Sequence, residues 1–309
     1  MKTLIVGNGI DIQFGGVSEY CNYAILVRML KNVNADKYSV LGFSKLDLLD
    51  ILDTCEKTNK KIIQNEVGIP EENDYLFLQM EMARVRRMYT SDSSLLDIGL
   101  EDLFLAVEVL YLNSLNDEDR SFCQYAKDEI LQPIILDAIY NDGKINELYK
   151  NYPDSFVRYL KSHDAIFTLN YDTNIESAVE GEVPVYHIHG CFSDYAKKTE
   201  RKIESLKHMY CNGIMSWYWL EKFGDEELDS RYGISELKNI DGHVELLGMS
   251  PCNDEQLFIR LMENKRIKSC DYYYFDRSDA IEIRKHLCGH LAGHITNKSV
   301  KNFWKRYSA

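Results

Sequence analysis

An asparagine and a histidine that could act together on a bound ligand each follow a short apolar segment of this sequence. Asn170 comes just after the segment 165–168, and His189 comes directly after the segment 183–188. The amide of Asn170 both donates and accepts hydrogen bonds, so it could hold a ribose hydroxyl or a water molecule near an anomeric carbon. His189 could accept a proton from a sugar hydroxyl near neutral pH. We therefore take Asn170 and His189 as the candidate catalytic pair.

The polar residues of these two segments also have structural interpretations. Asn170 could simply end its strand in a turn, and Asp172 could cap the helix expected over 174–178. His187 would share a strand face with the candidate histidine, because side chains two residues apart point the same way. We interpret His187 as a structural histidine. Cys191 lies nearby, but no second feature of the sequence supports catalysis by its thiol.

A glycine-rich turn near the N-terminus is typical of a phosphate-binding loop. Gly7, Asn8 and Gly9 follow the apolar segment 3–6, and glycines let backbone amides approach a phosphate without a Cβ in the way. The third glycine of the dinucleotide fingerprint is not at its expected spacing, so a tight strand-to-helix turn is the alternative. Asp11 would repel a phosphate, but its carboxylate could bind a ribose hydroxyl.

Three histidines near the C-terminus have the spacing of a metal site on a helix. His286, His290 and His294 are four residues apart and could face the same side of a helix. Gly289 and Gly293 weaken such a helix, and the pattern fixes no acidic or cysteine partner. Cations near a helix C-terminus are also favourable without a metal. We therefore predict no metal site.

The composition narrows the classes of protein to which the chain can belong. Its 309 residues are enough to bury a full core in one large domain or two. Hydrophobic residues make up 45% and charged residues 28%, which is typical of globular proteins. The net charge of -13 argues against broad binding to nucleic acid or to an anionic membrane. We therefore predict no direct nucleic-acid binding.

Cysteine usage and hydropathy predict a cytoplasmic protein. The eight cysteines are scattered without a Cys-x-x-Cys pair, a pattern typical of reduced and mostly buried thiols. No uninterrupted apolar stretch is long enough to span a bilayer, and the N-terminus has no signal-peptide pattern. We therefore expect no membrane association.

The apolar segments indicate an α/β, Rossmann-like fold. In such a fold, neighbouring strands would bring Asn170 and His189 close together. We predict strands over 3–6, 165–168, 185–188, 243–250 and 272–275. Helical spacing after the first strand predicts a helix that begins at about Ser18. Open α/β sheets hold their ligands at the carboxyl ends of strands, where Asn170 and His189 fall. We expect a mostly parallel sheet with helices on both faces.

A long helical stretch separates the first predicted strand from the second. Within it, the segment 122–140 is predicted to be a helix kinked at Pro133. The stretch is longer than an ordinary crossover between parallel strands. We predict a helical insertion subdomain over 36–159, which acts as a lid on the ligand edge or as a partner surface. Residues 1–35 and 160–309 then form the Rossmann-like nucleotide-binding domain.

Four motifs, taken in order, resemble those of the sirtuin-like superfamily. They are Gly7-Asn8-Gly9-Ile10-Asp11, Thr168-Leu169-Asn170-Tyr171-Asp172, His187-Ile188-His189-Gly190 and Gly248-Met249-Ser250. The opening is also similar to that of AbiH-type abortive-infection proteins. Those begin with Gly-Asn-Gly-x-Asp followed by a glycine and a tyrosine, as at Gly16 and Tyr20 here. The resemblance covers the predicted sheet and not the helical insertion.

The resemblance implies that NAD binds in a Rossmann-type crevice. Asn170 would lie by the nicotinamide ribose, and His189 matches the catalytic histidine of the superfamily. The nucleotide would be bound by residues of all four motifs, namely Gly7, Asn8, Gly9, Asp11, Asp172, Gly190, Gly248 and Ser250. The first turn would line the pyrophosphate, and the last turn would contact the adenosine half.

Two departures from the family pattern narrow the implied activity. Sirtuin deacetylases carry a four-cysteine zinc module, whereas only Cys191 and Cys211 lie between His189 and residue 243 here. The first turn carries Asn8 to Asp11 in place of the usual small residues and serine. The missing zinc module argues against a peptide deacetylase and favours the bacterial antiphage branch, whose domains hydrolyse NAD.

The sequence thus leads to the hypothesis of an NAD glycohydrolase effector of abortive-infection defence. NAD would be the substrate, cleaved to nicotinamide and ADP-ribose without a metal. An uncontrolled NADase would kill its host, so we expect gating by homo-oligomerisation or by a partner subunit of the defence system. The alternative is a non-catalytic, nucleotide-binding regulatory subunit of a defence complex.

Overall fold

The computed structural model describes residues 1–70, 76–192, 203, 206 and 233–307, which contain a six-stranded parallel sheet. Its strands are β1 (Lys2–Val6), β2 (Ala165–Thr168), β3 (Val185–His187), β4 (Gly242–Leu247), β5 (Ile267–Tyr274) and β6 (Ile295–Ser299). The strands lie in the order β3-β2-β1-β4-β5-β6. This is the strand order of dinucleotide-binding Rossmann folds. The predicted α/β, Rossmann-like fold is confirmed.

Helices make up most of the remaining described chain. They are α1 (Gly9–Gly15), α2 (Val17–Tyr20), α3 (Asn22–Asn34), α4 (Lys45–Ile63), α5 (Leu76–Met88), α6 (Leu100–Asn113), α7 (Asp117–Tyr125), α8 (Gln132–Tyr140), α9 (Asp154–Leu160), α10 (Asn174–Val179), α11 (Ile234–Lys238), α12 (Glu255–Glu263), α13 (Arg277–Glu282) and α14 (Val300–Trp304). 3-10 segments cover Ser39–Leu41, Asn141–Asn151 and Gly289–Leu291, and π-helical segments cover Ala126–Leu131 and Ile283–Leu287.

Both faces of the sheet are covered by helices, because the strands are apolar on both sides. On one face, Leu4 and Ile166 pack in a buried cluster with Phe156 of α9 and Phe303 of α14. On the other face, the ring of Tyr272 in β5 packs edge-on against Phe258 of α12, with 5.7 Å between the ring centroids. The sheet is therefore the centre of the core.

The strand register aligns the carboxyl ends of four strands. Val6 pairs with Thr168 of β2 and with Leu247 of β4, and Thr168 pairs with His187 of β3. Each of these is the last residue of its strand, so the four following turns begin at one level. The strand order reverses between β1 and β4, and open α/β sheets bind their ligands at such a point.

Several element boundaries differ from the sequence prediction. Strand β4 ends at Leu247 rather than at residue 250, and β5 begins at Ile267 rather than at Tyr272. A helix begins near the predicted Ser18, at Val17 of α2, but it is preceded by α1 (Gly9–Gly15), which was not predicted. Gly16, whose φ is 94°, caps the end of α1. Helix α1 was missed because it begins directly in the glycine turn. The sixth strand was not predicted from hydropathy, since in this edge strand Ile295 alone is fully buried.

The predicted kink at Pro133 takes the form of a change in helix type. Helix α7 passes into the π-helical segment 126–131, and α8 follows with Pro133 in its first turn. Proline has no N–H to donate, and its ring clashes with the carbonyl of the preceding turn. The wider π turn ahead of the proline accommodates both effects.

The described chain divides into two compact units. The first contains the sheet and covers 1–17, 143–192 and 233–307, and the second covers 18–70, 76–142, 203 and 206. Helix α9, which the sequence assigned largely to the insertion, packs within the first unit on β1 and β2. The lid or partner role of the insertion over 36–159 stays a prediction.

The second unit has a core of its own. Ile62 of α4, Val85 of α5 and Val109 of α6 belong to one buried cluster. Arg84 is buried between Glu81, at 2.7 Å, and Asp102. Within the described residues, no helix is both long and apolar enough to cross a membrane.

Candidate functional site

Glycines allow the turn after β1 to touch the turn after β4. The amides of Gly7 and Gly9 donate to the carbonyls of Leu247 (3.0 Å) and Gly248 (2.9 Å). A Cβ atom on Gly9 would lie 2.5 Å from Gly248 Cα, so this position excludes other residues. The two amides are thus used inside the protein, and Asn8 between them is exposed. The glycines are explained by this contact between two backbones.

The turn after β4 is held by its own polar residues. The amide of Ser250 donates to the carboxylate of Asp254 (3.1 Å), and the Ser250 hydroxyl lies 3.4 Å from Asp279 Oδ1. Gly248 adopts a φ of 73°, in the left-handed region that favours glycine. The predicted adenosine contacts at Gly248 and Ser250 therefore belong to a tightly bonded turn. Ser250 remains half-buried, with its hydroxyl near a carboxylate.

Asn170 is buried immediately beyond the end of β2. Its backbone N–H donates to Thr168 Oγ1 (3.0 Å), and its backbone carbonyl accepts from His187 Nδ1 (3.0 Å). Both contacts use the backbone of Asn170. Within the described part of the chain, no residue hydrogen-bonds to its side-chain amide. These contacts fix the backbone of Asn170 and leave its side-chain amide able to donate and accept further hydrogen bonds.

His189 lies in the turn after β3, next to the end of β2. The amide of Ile188 donates to the carbonyl of Thr168 (2.9 Å), which ties the two turns together. His189 is half-buried, and its burial lowers its pKa to about 4. The ring is therefore neutral at physiological pH. It can accept a hydrogen bond from a hydroxyl, but it is a weaker base than an ordinary histidine. Gly190, with a φ of 95°, turns the chain behind it.

His187 is held on both sides of its ring. Nδ1 donates to the Asn170 carbonyl, and Nε2 contacts Glu176 Oε1 of α10. Burial alone would lower its pKa, but the contacts with Cys191 and Glu176 raise the pKa of His187 well above its ordinary value. The positive ring links the ends of β2 and β3 to α10. This agrees with the structural interpretation of His187.

Asp11 and Asp172 form a buried pair of carboxyl groups behind the glycine turn. Their relative exposures are 2% and 3%, and Asp172 Oδ1 accepts a hydrogen bond from the amide of Asn174, the first residue of α10 (2.8 Å). Burial raises the pKa of Asp11 well above its ordinary value, and the charge of Asp172 and a hydrogen bond to it add to the effect. Burial raises the pKa of Asp172 as well, so the two carboxyl groups are arranged to share a proton.

Further buried oxygens surround this pair. The hydroxyl of Tyr152 and Oε2 of Glu176 have no hydrogen-bond partner within the described residues. Burial raises the pKa of Tyr152 well above its ordinary value, and the charges of Asp172, Asp11 and Glu176 contribute. Buried polar atoms rarely remain without a partner in native proteins. This edge of the first unit is therefore polar and more negative than positive.

Asn170 and Asp11 could be identified from the sequence, whereas Glu176, Tyr152 and the pairing of the two aspartates could not. Asp11 and Asp172 were visible as the last residues of two motifs. Their contact depends on the neighbouring positions of β1 and β2, which the sequence alone does not give. Tyr152 had no signal in the sequence.

The three C-terminal histidines do not share a helical face. The chain changes from a π segment to a 3-10 segment at residues 288–289, and β6 begins at Ile295. Both ring nitrogens of His290 face backbone carbonyls, those of Met262 and Ile267. His290 is therefore a structural residue, and the side chain of His286 lies outside the described part.

No protein-family model, curated protein or solved structure matches this chain. The function of the site therefore has to follow from its own residues and geometry.

Proposed function

We propose that the protein is a cytoplasmic NAD glycohydrolase that acts in antiphage, abortive-infection defence. The supporting observation is the alignment of four turns at the switch point of a parallel sheet with Rossmann strand order. Asn170 and His189 lie in two of these turns, on adjacent strands. Binding across such a crevice suits a dinucleotide.

The chemistry required of the two residues is modest. Nicotinamide leaves NAD as a neutral molecule, so cleavage of the C1′–N bond passes through an oxocarbenium-like, cationic transition state. The uncommitted amide of Asn170 would hold a water or a ribose hydroxyl next to C1′. The neutral ring of His189 would accept a hydrogen bond from a ribose hydroxyl and draw charge from it.

The buried acids would assist the same step through their charge. Burial raises the pKa of both Asp11 and Asp172, so the pair would share one proton and carry a single negative charge. A fixed negative charge at a water-poor edge stabilises a developing cation more than it would in water. The charge of the pair would therefore stabilise the oxocarbenium-like transition state as positive charge develops on the ribose.

Contacts to the pyrophosphate would come from the exposed part of the first turn. The amides of Gly7 and Gly9 already donate to β4, which leaves Asn8 as the residue facing outward. This differs from the usual glycine-amide cradle. The proposal includes control of the activity, which would depend on binding of a partner subunit or of a second copy of the chain.

A second candidate function is a nucleotide-binding regulatory subunit without turnover. Two observations favour it: the internal use of the Gly7 and Gly9 amides, and the low pKa of His189. Both features would lower the rate of hydrolysis, and neither would prevent a nucleotide from binding.

Chromatography of NAD incubated with the purified protein tests the proposal. We expect nicotinamide and ADP-ribose from the wild type, and a rate lower by at least about 100-fold in Asn170→Ala and His189→Ala. The exposed residues Asn34 and His294 provide matched controls, Asn34→Ala and His294→Ala, which should keep the wild-type rate.

Equal rates in all five proteins would show that Asn170 and His189 are not the catalytic pair. If the wild type binds NAD by calorimetry but forms no product, even with partners captured from infected cells, the regulatory-subunit proposal is favoured instead.

A further inference from the structure

Three side chains with different metal-binding groups converge at the end of β3. They are Glu176 of α10, His187 at the end of β3, and Cys191 in the following turn. One ligand atom from each lies within 4.8 Å of the other two. An ion with bonds of about 2.0–2.3 Å separates its ligand atoms by roughly 3–4 Å. The three groups therefore need only small movements to hold one ion.

The imidazole of His187 is oriented as in a metal ligand. Its Nδ1 donates to the backbone carbonyl of Asn170 at 3.0 Å, which fixes the ring and leaves Nε2 directed at Glu176. Metal-binding histidines almost always use the second ring nitrogen in this way. The ring is in place before any ion arrives.

The same contacts argue against a cysteine–histidine–glutamate catalytic triad. In a triad, one ring nitrogen faces the thiol and the other faces the carboxylate. Here the carboxylate of Glu176 is at Nε2, and a backbone carbonyl occupies Nδ1. The Cys191 side chain also contacts this ring, but neither ring nitrogen serves the thiol alone. The arrangement fits a shared cation better than proton transfer.

We infer that Glu176, His187 and Cys191 bind a divalent transition-metal ion of the zinc type, next to the turn that carries His189. Thiolate and imidazole ligands select such ions over magnesium or calcium. The second carboxylate oxygen of Glu176 is buried without a partner in the described chain and offers a further bond to the ion. On binding, the protons of the thiol and of Nε2 pass to solvent.

This inference goes beyond the proposed function, because the ion would fix the turn whether or not NAD is hydrolysed. It also differs from the sequence prediction of no metal. That prediction considered the three histidines at 286–294 and Cys-x-x-Cys pairs, whereas the present set becomes visible only when α10 and β3 are placed side by side.

A second set of possible ligands in the same unit serves as an internal comparison. His243, Glu245 and Asp271 also lie within reach of one another. Lys2 pairs with Glu245 at 2.9 Å, and Lys298 pairs with Asp271. Two ammonium groups already supply the positive charge there, and the set lacks a thiol.

Titration of the chelator-treated, full-length protein with Co²⁺ alone tests the site. We expect one equivalent to bind with a near-ultraviolet sulfur-to-cobalt absorption band, and Zn²⁺ to abolish the band by displacing the cobalt. Cys191→Ser should remove the band, and Glu176→Gln should weaken binding by at least about 10-fold. Cys288→Ser and His243→Asn are the controls and should bind as the wild type does.

Absence of the band in the wild type would overturn the inference, and so would its persistence in Cys191→Ser. Circular dichroism of each variant separates lost binding from lost folding, and Glu176→Gln is the conservative second variant. None of these measurements uses NAD, so a failure of the NADase proposal would leave their outcome unaffected.

Discussion

At the scale of single residues, Asp11 illustrates how neighbours change the chemistry of a group. The sequence suggested a carboxylate that meets a ribose hydroxyl. In the structure the group is buried against Asp172 and near Tyr152, and burial raises its pKa well above the ordinary value. Asp11 is almost fully buried, so it is poorly placed to contact a ligand. Its effect on the site is through the charge that it shares with Asp172.

The substitution Asp11→Asn should stabilise the protein at neutral pH. The folded-state pKa of Asp11 is raised, so its contribution to stability is complete below the unfolded pKa, about 3.9, and is lost as the pH rises through the folded pKa. Asparagine keeps the shape and a donor but cannot ionise. We expect the free energy of unfolding at pH 7 to rise by about 0.5–2 kcal/mol, the usual range for a stabilising single substitution.

Urea denaturation of both proteins between pH 4 and pH 8 measures this difference. The gap between Asp11→Asn and the wild type should widen with pH. Parallel pH profiles for the two proteins would contradict the shared proton.

At the scale of elements, apolar segments and turn residues predicted most of the sheet. The strands β1 and β2 were found to within one residue, because each is a continuous buried run followed by polar or glycine residues. The edge strand β6 was not predicted, since its pairing with β5 does not require apolar side chains. Helix α1 was missed as well, because its first residues were assigned to the glycine turn.

The candidate site was predicted only where its signals are local. Asn170 and His189 were recognisable from their positions after strands. The roles of Gly9 and Glu176 were not, because each depends on a residue from a distant segment, Gly248 and His187 respectively. Such contacts follow from strand order, which hydropathy does not determine.

The contact between the β1 and β4 turns leads to a prediction about Gly9. In Gly9→Ala the new Cβ would lie 2.5 Å from Gly248 Cα, and a backbone atom cannot rotate away as a side chain can. We expect a loss of about 1–3 kcal/mol in the free energy of unfolding, typical of overpacking.

Gly293→Ala is the matched control, because nothing lies within 4 Å of a Cβ added there. Thermal and urea denaturation of the two variants checks the prediction. Similar stabilities for both would mean that the two turns are not in close contact.

At the scale of the whole molecule, the first unit is assembled from three separate stretches of chain. β1 comes from the N-terminal residues, β2 and β3 from the middle, and β4 to β6 from the C-terminal part. Along the sequence, the helical second unit is inserted between β1 and β2, which pair directly in the sheet. All the candidate nucleotide-binding residues belong to the first unit, so ligand binding should first affect that unit.

Hydrogen exchange with a hydrolysis-resistant NAD analogue tests this division. At about 100 times its dissociation constant, a ligand of the folded state stabilises it by about 2.7 kcal/mol. We expect slower exchange at the turns 7–11, 169–172, 188–190 and 248–250. Added protection in α4 and α6 would support the lid predicted for the insertion, whereas protection confined to the turns would favour a partner surface. Unchanged exchange at all four turns, under conditions where calorimetry detects binding, would place the nucleotide elsewhere in the chain.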